Sequence, residues 1–583
     1  MPRNMTVSVA TCPQQLVGYW GYGDPARLGQ SLKRLLSQAR ETDWAVTSQP
    51  TSDGTLAVLS AAGLASDLQT ETALADIWVQ VGEQSLTLGR QAFGRVPLYW
   101  MQVEQVIWFS SRLQTLLPLV ASPGVNFAAL YGYSCFSYVP TPLTPVEGVV
   151  AVPAGVEETW RMSAGTLASP HSRDLLDWRE VPDPVDNEQA AIAQLQTLLK
   201  AAVERQITDL PDETVGVLLS GGLDSSIVAA LLVQMGVKVR AYTLDFGDEF
   251  ERGGMTESPY AEQVASWLNI PLIKVDATPR RIQAALIPTI KALDLPFGDG
   301  VTVPLSLLCQ AASQDTGIIF NGEGGDQLFA GWTNKPLIAA SIYQSEHPDD
   351  YQSFADHYLR TFHRLWGYEA QVFQPAVYAA IQDMNPQDWL YPALDPTETR
   401  SLLHRLRRAS LMLKGAQNIH PRATNLAFAH GLQVRSPFCD MALAQWTFQV
   451  SSELYLQGAC EKYILKRAVE PWLPPEIVWR QKRGMGVPLT AWCLNEWWRS
   501  LGVWLNPGTL QAEGRWQPDL AARIVEGNLG GMIQGRRIGE TLWLLIVWQL
   551  WRSHVLGEPL ENPSWNHPFL LPYQLWRFTH RCL

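Results

Sequence analysis

The sequence contains little cysteine, and its cysteines are far apart. There are 7 of them in 583 residues, an odd number, and no two have the spacing of a metal-binding pair. They are Cys12, Cys135, Cys309, Cys439, Cys460, Cys493 and Cys582. This pattern argues against a disulfide-rich secreted scaffold and against a cysteine-based zinc site. It favours reduced thiols, and we therefore predict a cytoplasmic protein.

Basic residues are also in short supply. Lys and Arg number 44 against 56 Asp and Glu, which gives a formal net charge of −12. A protein that binds nucleic acid or anionic membrane over much of its surface carries the opposite balance. We predict no nucleic-acid partner, although the composition leaves room for a local basic cleft.

Long hydrophobic runs are missing as well. The N-terminus, MPRNMTVSVATCPQQ, lacks the apolar core of a signal peptide. The longest apolar run near the C-terminus, Thr541–Trp551, is interrupted by Gln549 and is shorter than the roughly 20 residues that span a bilayer. We predict that this run forms a buried helix and that the chain has no membrane span.

Short segments rich in branched and aromatic residues dominate the N-terminal part. Ser85–Arg90, Val96–Val103 and Val106–Ser111 are separated by glycine or polar turns, and this pattern predicts strands. The charged, proline-containing stretch Arg179–Gln189 predicts a linker. We therefore place one domain at residues 1–180 and a second at residues 186–583.

Strands and helices alternate after the linker. Asp186 and Gln189 have the spacing of a capping box at the start of a helix. The predicted strands that follow are Thr214–Ser220, Val237–Phe246, Pro271–Ala277 and Gly317–Glu323, and the predicted helices between them are Ser225–Gly236 and Pro259–Asn269. Near-continuous apolar strands in such an alternation predict a parallel sheet covered on both faces, and so an α/β fold. After residue 335 the pattern is mostly helical.

The hydrophobic pattern breaks where the first of these strands ends. Val215–Leu232 reads VGVLLSGGLDSSIVAALL. Gly221 and Gly222 permit a tight turn and the close approach of a ligand, and the next helix offers unpaired N–H groups and the positive end of its dipole. Asp224 repels an anion directly but can hold Mg²⁺ against it.

We interpret this stretch as a loop that binds phosphate, at the sheet edge where ligands bind in open α/β folds. The alternative is a strand–turn–helix whose glycines serve packing. The residues assigned to nucleotide binding are Leu218, Ser220, Gly221, Gly222, Leu223, Asp224, Ser225 and Ser226.

Four stretches, in order, resemble signatures of the asparagine synthetase family of N-type ATP pyrophosphatases. SGGLDSS resembles its pyrophosphate loop, and GEGGDQLFAGW (Gly322–Trp332) resembles its second signature. GLQVRSPFCD (Gly431–Asp440) resembles the arginine–proline–phenylalanine segment, and Lys462–Pro488 resembles the C-terminal lysine region. The resemblance covers about residues 190–555, and Gln91–Leu117 more weakly resembles the glutaminase domain of the family.

This resemblance implies an architecture and a chemistry. The N-terminal domain is expected to be an α+β sandwich like those of the Ntn hydrolases, and the second domain a parallel-sheet ATP pyrophosphatase with a helical C-terminal part. Family members form an acyl-adenylate from a carboxylate and ATP, and an amine then attacks the activated carbonyl. The implied cofactors are ATP and Mg²⁺.

The resemblance also implies roles for particular residues. Asp224 and Asp326 match the aspartates that bind Mg²⁺. Lys482 matches the lysine that stabilises the transition states of both steps, and Glu323 occupies a position implicated in deprotonating the amine. The alternatives are a turn aspartate, a solvated lysine and a carboxylate placed by a helix dipole.

Four further positions complete the implied site. Arg435 matches a residue that orients phosphate or shapes the pocket, with a structural ion pair as the alternative. Leu244, at the end of the second strand, is expected to meet the adenosine half of ATP. Gly322 and Gly324 are expected to line the nucleotide site.

The sequence departs from the family where glutamine is hydrolysed. Glutamine-dependent members need a cysteine directly after Met1, because its free amino group is the base. Here residues 2–5 are Pro, Arg, Asn and Met, and Val17 stands where a family-like segment places that cysteine. Gln91 and Arg112 replace the usual aspartate and glutamate. The glutaminase site is therefore predicted to be inactive within a persisting fold.

Without that ammonia source, an amine of the substrate itself is the predicted nucleophile, because an intramolecular amine has a high effective concentration. β-Lactam synthetases and lasso peptide cyclases share this loss. Gln433, where asparagine synthetases usually have Glu, favours the peptide cyclase, which closes a macrolactam on a peptide carboxylate. The expected partners are then a peptide or small carboxylate substrate, with a leader-peptide-binding protein and a protease.

Three other functions stay open on the sequence alone. They are β-lactam synthesis, asparagine synthesis with ammonia or glutamine, and a regulator that binds nucleotide without turnover. Retention of Asp224, Asp326 and Lys482 argues against the regulator.

Overall fold

The computed structural model describes most of the chain. The described residues are 5–9, 16–38, 44–50, 56–62, 76–82, 84–163, 165–176, 178–247, 257–331, 351–362, 365–482, 484–527, 529, 537–560 and 569. Cys12, Cys582 and Trp332 lie outside them.

The N-terminal part is built from antiparallel strands and a few helices. Its strands are β1 (Met5–Val9), β2 (Leu16–Gly21), β3 (Trp44–Pro50), β4 (Leu56–Ala62), β5 (Ile77–Val81), β6 (Ser85–Arg90), β7 (Tyr99–Val103), β8 (Val106–Ser110), β9 (Val149–Ala151), β10 (Val156–Ser163), β11 (Thr166–Leu167) and β12 (His171–Asp174). Its helices are α1 (Pro25–Gln38), α2 (Leu113–Leu116) and α3 (Phe127–Phe136), with a 3₁₀ turn at Leu117–Leu119.

These strands form two sheets that pack face to face. One has the order β1-β5-β6-β10-β11 with β12 beside β10, and the other has the order β3-β4-β2-β8-β7-β9. Trp20, Phe109 and Trp160 fill the space between the sheets, as the alternation of buried and exposed residues along β10 requires. The predicted sandwich of antiparallel strands is confirmed.

The linker region leads into a helix with a cap different from the predicted one. α4 (Glu188–Ile207) begins after Asn187, whose side chain accepts a hydrogen bond from the Ala190 N–H at 2.9 Å. The prediction that Asp186 and Gln189 form the cap was wrong by one residue, because Asn187 is itself a strong N-cap residue and lies closer to the first turn.

A parallel sheet forms the centre of the second part. Its strands are β13 (Val215–Leu218), β14 (Val239–Asp245), β15 (Leu272–Asp276), β16 (Ile318–Phe320) and β17 (Gln433–Arg435), in the order β15-β14-β13-β16-β17. Every neighbouring pair is parallel. The helices between them are α5 (Leu223–Gln234), α6 (Ser258–Leu268), α7 (Pro279–Leu293), α8 (Thr302–Ala312) and α9 (Gly325–Leu328). The predicted α/β class and its four strands are confirmed.

The strand order sets the position of the site. The chain runs outward from β13 through β14 to β15, and then returns to add β16 on the other side of β13. The carboxyl ends of β13 and β16 are therefore neighbours at the point where the order reverses. Open parallel sheets bind ligands in the crevice at this point.

The C-terminal part is mostly helical. Its α-helices are Tyr351–Phe362, Glu369–Val372, Pro375–Ile381, Tyr391–Leu394, Leu402–Ala409, His420–Ala429, Met441–Thr447, Tyr463–Val469, Pro475–Val478, Leu489–Leu494, Trp498–Trp504, Pro507–Glu513, Leu520–Glu526 and Ile538–His554. Short 3₁₀ turns lie at Pro386–Trp389, Pro437–Cys439 and Ser452–Leu454, a π-helix at Ser410–Ile419, and a hairpin at β18 (Leu456–Gln457) and β19 (Cys460–Glu461).

The apolar run near the C-terminus is a buried helix, as predicted. Ile538–His554 is buried along almost its whole length, and Trp543, Trp548 and Trp551 are fully enclosed. Within the described ranges, no helix is both long enough and apolar enough to cross a bilayer.

Side chains of the N-terminal part donate hydrogen bonds to backbone carbonyls of the second part. The Tyr133 hydroxyl donates to the carbonyl of Leu544 at 2.8 Å, and Arg95 donates to the carbonyl of Val434 in β17 at 2.7 Å. One continuous core contains residues of β2 and β8, α3 and the helix Ile538–His554. The two parts therefore stabilise each other.

Candidate active site

The glycine loop lies at the carboxyl end of β13 and turns directly into α5. Gly221 has φ of +69°, and a Cβ there would lie 2.4 Å from the Ala261 nitrogen and 2.5 Å from the Tyr260 carbonyl carbon. Glycine is thus required by both conformation and space. Gly222 is the N-cap of α5, so the first N–H groups of that helix face the loop.

The serines of the loop hold it in one shape. The Ser226 hydroxyl donates to the Gly222 carbonyl at 2.8 Å, and the Ser220 hydroxyl accepts from the Gly222 N–H at 3.2 Å. The Ser220 and Ser225 hydroxyls are 3.3 Å apart. Leu218 ends β13, and Leu223 and Asp224 open α5.

The second signature follows β16 and lies against the loop. A Cβ on Gly322 would lie 2.7 Å from the Ser225 nitrogen, and one on Gly325 would lie 2.5 Å from Cγ of Asp224. These positions are glycine because the two turns touch. Gly324, with φ of +101°, caps the short helix α9 that carries Asp326.

Two carboxylates and two ammonium groups meet between these turns. The Lys462 Nζ lies 2.6 Å from both carboxylate oxygens of Asp224 and 2.6 Å from Oδ1 of Asp326. The Lys482 Nζ lies 2.8 Å from Oδ2 of Asp326. The sequence predicted three of these residues but not Lys462, although Lys462 opens the stretch Lys462–Pro488 that resembles the lysine region of the family.

The charges of Asp326 and Lys482 stabilise each other. Burial disfavours ionisation of Asp326, but Lys462 and Lys482 hold its pKa well below the usual range. Burial likewise disfavours the charged form of Lys482, but Asp326 and Asp224 raise the pKa of its ammonium above the usual value. Both groups are therefore charged at neutral pH, in a setting where charge is weakly screened.

The local backbone places Lys462 and Lys482 beside the two carboxylates. Lys462 follows β19 with a left-handed φ of +56° and precedes the helix Tyr463–Val469; this conformation is uncommon for lysine. Glu461 accepts hydrogen bonds from the Lys482 N–H at 2.9 Å and from the Lys466 Nζ at 3.0 Å. The side chain of Lys462 is 2% exposed, so it is not a solvated surface charge.

Carboxylates are the protein ligands that Mg²⁺ prefers, so Asp224 and Asp326 have the chemistry of an Mg²⁺ site. However, the ammonium of Lys462 lies between the two carboxylates. The described residues also contain no cluster of three or more His, Cys, Asp or Glu that could hold a metal ion. The two-aspartate Mg²⁺ site stays a prediction that requires Lys462 to move.

Glu323 lies in the same turn as Gly322. Its N–H donates to Oδ1 of Asn321 at 3.2 Å. Burial raises the pKa of the Glu323 carboxyl, while the charge of Arg422 opposes that shift. A carboxylate with a raised pKa is better able to accept a proton from an amine than an ordinary one.

Arg435 is engaged away from the glycine loop. Its guanidinium contacts both carboxylate oxygens of Asp209 at 2.7 and 3.1 Å and Oε1 of Gln433 at 2.9 Å, and it also donates to the carbonyl of Gln206 in α4. These contacts correspond to the structural ion pair that the sequence analysis left as the alternative. Leu244 is buried in β14, next to β13 at the same sheet edge.

The residues at the predicted glutaminase positions have structural contacts. Val17 is fully buried inside β2, between β4 and β8. Gln91 Oε1 accepts from the Phe93 N–H at 3.2 Å. Arg112 donates to the carbonyl of Ala292 at 2.9 Å and lies 3.7 Å from Asp294, at the end of α7.

Arg90, which precedes Gln91, is the most enclosed cation of this region. Its guanidinium donates to the carbonyls of Gly94, Val96, Val152 and Ala416 at 2.7 to 3.3 Å. Burial lowers the pKa of this guanidinium to about 10. Four carbonyls therefore surround this guanidinium.

Two family models match separate regions of this chain. The model of the asparagine synthase family matches residues 194–553, and that of a glutamine amidotransferase domain matches residues 45–169. One relative is a Mycobacterium tuberculosis protein that carries the name of a glutamine-hydrolyzing asparagine synthetase. It is 26% identical over 535 residues, which cover 84% of this chain and 78% of the relative.

Two further relatives carry the name of glutamine-hydrolyzing asparagine synthetase. The Bacillus subtilis protein is 21% identical over 492 residues, 80% of this chain and 74% of its own. The Cricetulus griseus protein is 25% identical over 321 residues, 53% of this chain and 45% of its own. The family model alone covers more than half of the chain. The protein therefore belongs to the asparagine synthase family and is an ATP-dependent carbon–nitrogen ligase.

Proposed function

We propose that the protein joins a carboxylate to an amine through an acyl-adenylate, with the amine supplied by the substrate itself. The observation that carries the first half of this proposal is the cluster of Asp224, Asp326, Lys462 and Lys482 beside the glycine loop. In the reaction a carboxylate oxygen bonds to the α-phosphorus of ATP and pyrophosphate leaves. The amine nitrogen then bonds to the carbonyl carbon and AMP leaves.

The glycine loop is suited to the phosphates of ATP. The N–H groups at the start of α5 and the hydroxyls of Ser220 and Ser225 converge there, and such groups bind phosphate oxygens. Lys462 and Lys482 lie within reach of the same place, and each can exchange a carboxylate partner for a phosphate oxygen. Fixed cations in a buried site stabilise charge that develops on the leaving pyrophosphate.

The acids have two tasks in this proposal. Asp224 and Asp326 hold the ammonium groups of Lys462 and Lys482 in place while no nucleotide is bound, and they keep Lys482 charged. We also retain Mg²⁺, which family members take up with ATP, as a predicted cofactor held by the same two carboxylates. When bound, the ion would neutralise charge on the phosphates.

Glu323 is the proposed acceptor of the amine proton. Its raised pKa places the acid limb of the amide-forming step above the range of an ordinary carboxylate. Glu323→Gln should therefore abolish amide formation while ATP and substrate still yield some pyrophosphate. Equal loss of both products would instead give Glu323 a role in adenylation or in folding.

The source of the amine is argued from the N-terminal part. A glutaminase needs a nucleophilic thiol with a free amino group beside it. In this chain Val17 lies within a strand, and Arg90 is surrounded by four carbonyls. These contacts support an N-terminal domain that keeps the glutaminase fold for structural reasons and delivers no ammonia.

A peptide whose own amine attacks an activated side-chain carboxylate is then the preferred substrate. Gln433 supports this choice, because its amide is committed to Arg435 at 2.9 Å and adds no negative charge where asparagine synthetases usually have Glu. The product is a macrolactam of the lasso type. A leader-peptide-binding protein and a protease remain predicted partners, and β-lactam closure is the small-molecule variant of the same chemistry.

The test is a reaction of purified protein with ATP, Mg²⁺ and candidate substrates, followed by pyrophosphate release and product mass. A peptide that loses the mass of one water, with AMP and pyrophosphate formed in equal amounts, supports lactam closure. Nucleotide binding without turnover on any substrate would support the regulator instead.

A second candidate function is glutamine-dependent asparagine synthesis, which the names of the relatives favour. It predicts asparagine from aspartate and glutamine, with glutamate as the second product. Asparagine formed only from added ammonium would retain the adenylating site and remove the peptide substrate from the proposal.

A further inference from the structure

A single arginine links the glycine loop to the segment that carries Lys482. Arg480 lies two residues before Lys482, and its guanidinium donates to the carbonyl of Gly221 at 3.1 Å. The same group lies 3.3 Å from Oε1 of Glu257. Its Cζ stands 3.6 Å from the centre of the Tyr260 ring.

Each partner of this guanidinium belongs to the wall behind the loop. Glu257 occupies the N-cap position of α6, and Tyr260 lies in the first turn of that helix. The backbone of Tyr260 is what Gly221 approaches so closely that no Cβ fits. Arg480 thus bridges the loop and the helix against which the loop is packed.

The backbone around Arg480 is held from the other side. Its carbonyl accepts from the Lys466 Nζ at 3.3 Å, and Glu461 holds both Lys466 and the N–H of Lys482. Arg480 is therefore fixed at both ends, and only 11% of its side chain is exposed. A flexible surface arginine does not have this set of contacts.

We infer that Arg480 is a positioning residue that holds the Gly221 carbonyl and thereby keeps the loop in the shape that presents the first N–H groups of α5 to the triphosphate of ATP. A peptide plane has its carbonyl and its N–H on opposite sides. Holding the Gly221 carbonyl against Arg480 therefore directs the N–H of Gly222 away from Arg480, where it donates to the Ser220 hydroxyl inside the loop. Because Lys482 lies on the same segment, the contact also fixes the distance between the loop and the catalytic lysine.

Lysine cannot replace this arginine fully. Arginine has a planar fork that can reach Gly221 and Glu257 together while stacking on Tyr260, whereas lysine is a single point charge. We therefore expect Arg480→Lys to retain part of the function and Arg480→Gln to retain least.

The experiment measures ATP affinity and turnover separately, and the inference rests on the proposed function in that ATP must bind the loop. Arg480→Gln should weaken equilibrium ATP binding by roughly 10- to 100-fold, since hydrogen bonds with charged groups contribute about that much. Arg480→Lys should fall between this variant and the wild type. Arg467→Gln is the control, because Arg467 pairs with Glu188 and Glu470 away from the loop.

A second measurement, in protein that carries Lys482→Ala, distinguishes an effect of Arg480 on the loop from an effect on Lys482. If Arg480 acts on the loop, Arg480→Gln weakens ATP binding by the same factor in protein that already carries Lys482→Ala. If the loss disappears in that background, Arg480 acts through Lys482 alone and the inference is wrong. Unchanged affinity in Arg480→Gln, with wild-type unfolding, would also overturn it.

Failure of the proposed function and failure of the positioning role of Arg480 give different results. If the wild-type protein binds no ATP, the proposed function fails before Arg480 is tested. If the wild type binds ATP and Arg480→Gln binds it equally well, the proposed function stands and only the positioning role is lost.

Discussion

Three cations, one in the N-terminal part and two in the C-terminal part, have different kinds of partner. In the N-terminal part, the guanidinium of Arg90 is surrounded by four backbone carbonyls. In the C-terminal part, Lys462 and Lys482 meet carboxylates beside a glycine loop. Carbonyls belong to the backbone and cannot leave, whereas a lysine side chain can move from a carboxylate to a phosphate. The comparison separates a cation used for structure from cations available for chemistry.

Two acids, one in each part, also differ in their partners. Glu158 of β10 is 7% exposed, and its Oε2 has no hydrogen-bond partner among the described residues. Burial raises its pKa to about 7. The side chain of Asp326 is 31% exposed, and two ammonium groups hold its pKa below the usual range. Stability should therefore respond to pH with opposite sign at the two residues.

The largest expected effect is on catalysis. Lys482→Ala should lower kcat for pyrophosphate release by about 10²- to 10³-fold, as loss of one donor to a developing anion does. Lys238→Ala is the matched control. Lys238 is exposed and pairs with Asp212, and both lie at the amino ends of β13 and β14, opposite the glycine loop. A kcat within a few-fold of wild type for Lys482→Ala would remove that lysine from the chemistry.

The next effect is on folding. Arg90→Ala leaves several buried carbonyls without a donor, and it should destabilise the protein by about 3–4 kcal/mol. Urea unfolding measures the loss, and Arg173→Ala, which breaks an exposed pair with Glu157, should change stability by less than about 1 kcal/mol. Arg90→Lys that folds at low temperature should keep the wild-type KM for ATP. A selective rise in that KM would contradict the structural role of Arg90.

A smaller effect of the opposite sign is expected at Glu158. Its folded pKa of about 7 exceeds the ordinary value of about 4.3, so stability falls as the pH rises from about 4.3 to about 7, and the full loss is present above pH 7. Glu158→Gln should therefore stabilise the protein by about 2–3 kcal/mol at pH 8 and by little at pH 4.5. Unfolding midpoints at the two pH values measure the difference, and a gain that is equal at both would exclude titration as its cause.

The smallest effect tests the start of the second part. Asn187→Ala should cost about 1 kcal/mol, because it removes the cap of α4. Asp186→Ala, the position predicted from the sequence, should change stability by only a few tenths of a kcal/mol. The reverse ranking in thermal unfolding would restore the original assignment.

Local pattern was enough to predict most of the parallel sheet and the loop. Each of β13, β14, β15 and β16 is an apolar run bounded by turn residues, and glycine followed by a helix marks the loop. β17 was missed because three residues after a long helical stretch carry no period. Lys462 was missed for a different reason, since only the fold brings a hairpin end to an acid pair far away in sequence.

The departures in the N-terminal part were visible in the sequence, but their physical meaning was not. Gln91 and Arg112 are unlike the family pattern, yet only the structure shows Arg112 bound to the end of α7. The role of Arg435 was ambiguous for the same reason, because its ion pair with Asp209 depends on how α4 packs beside β17.

The most direct test measures glutamate released from glutamine and pyrophosphate released from ATP in one preparation, with a peptide substrate present. The contrast between the two parts predicts pyrophosphate in amounts equal to amide product and no glutamate above background. Glutamate released in step with pyrophosphate would contradict it, because the N-terminal part would then be an active glutaminase.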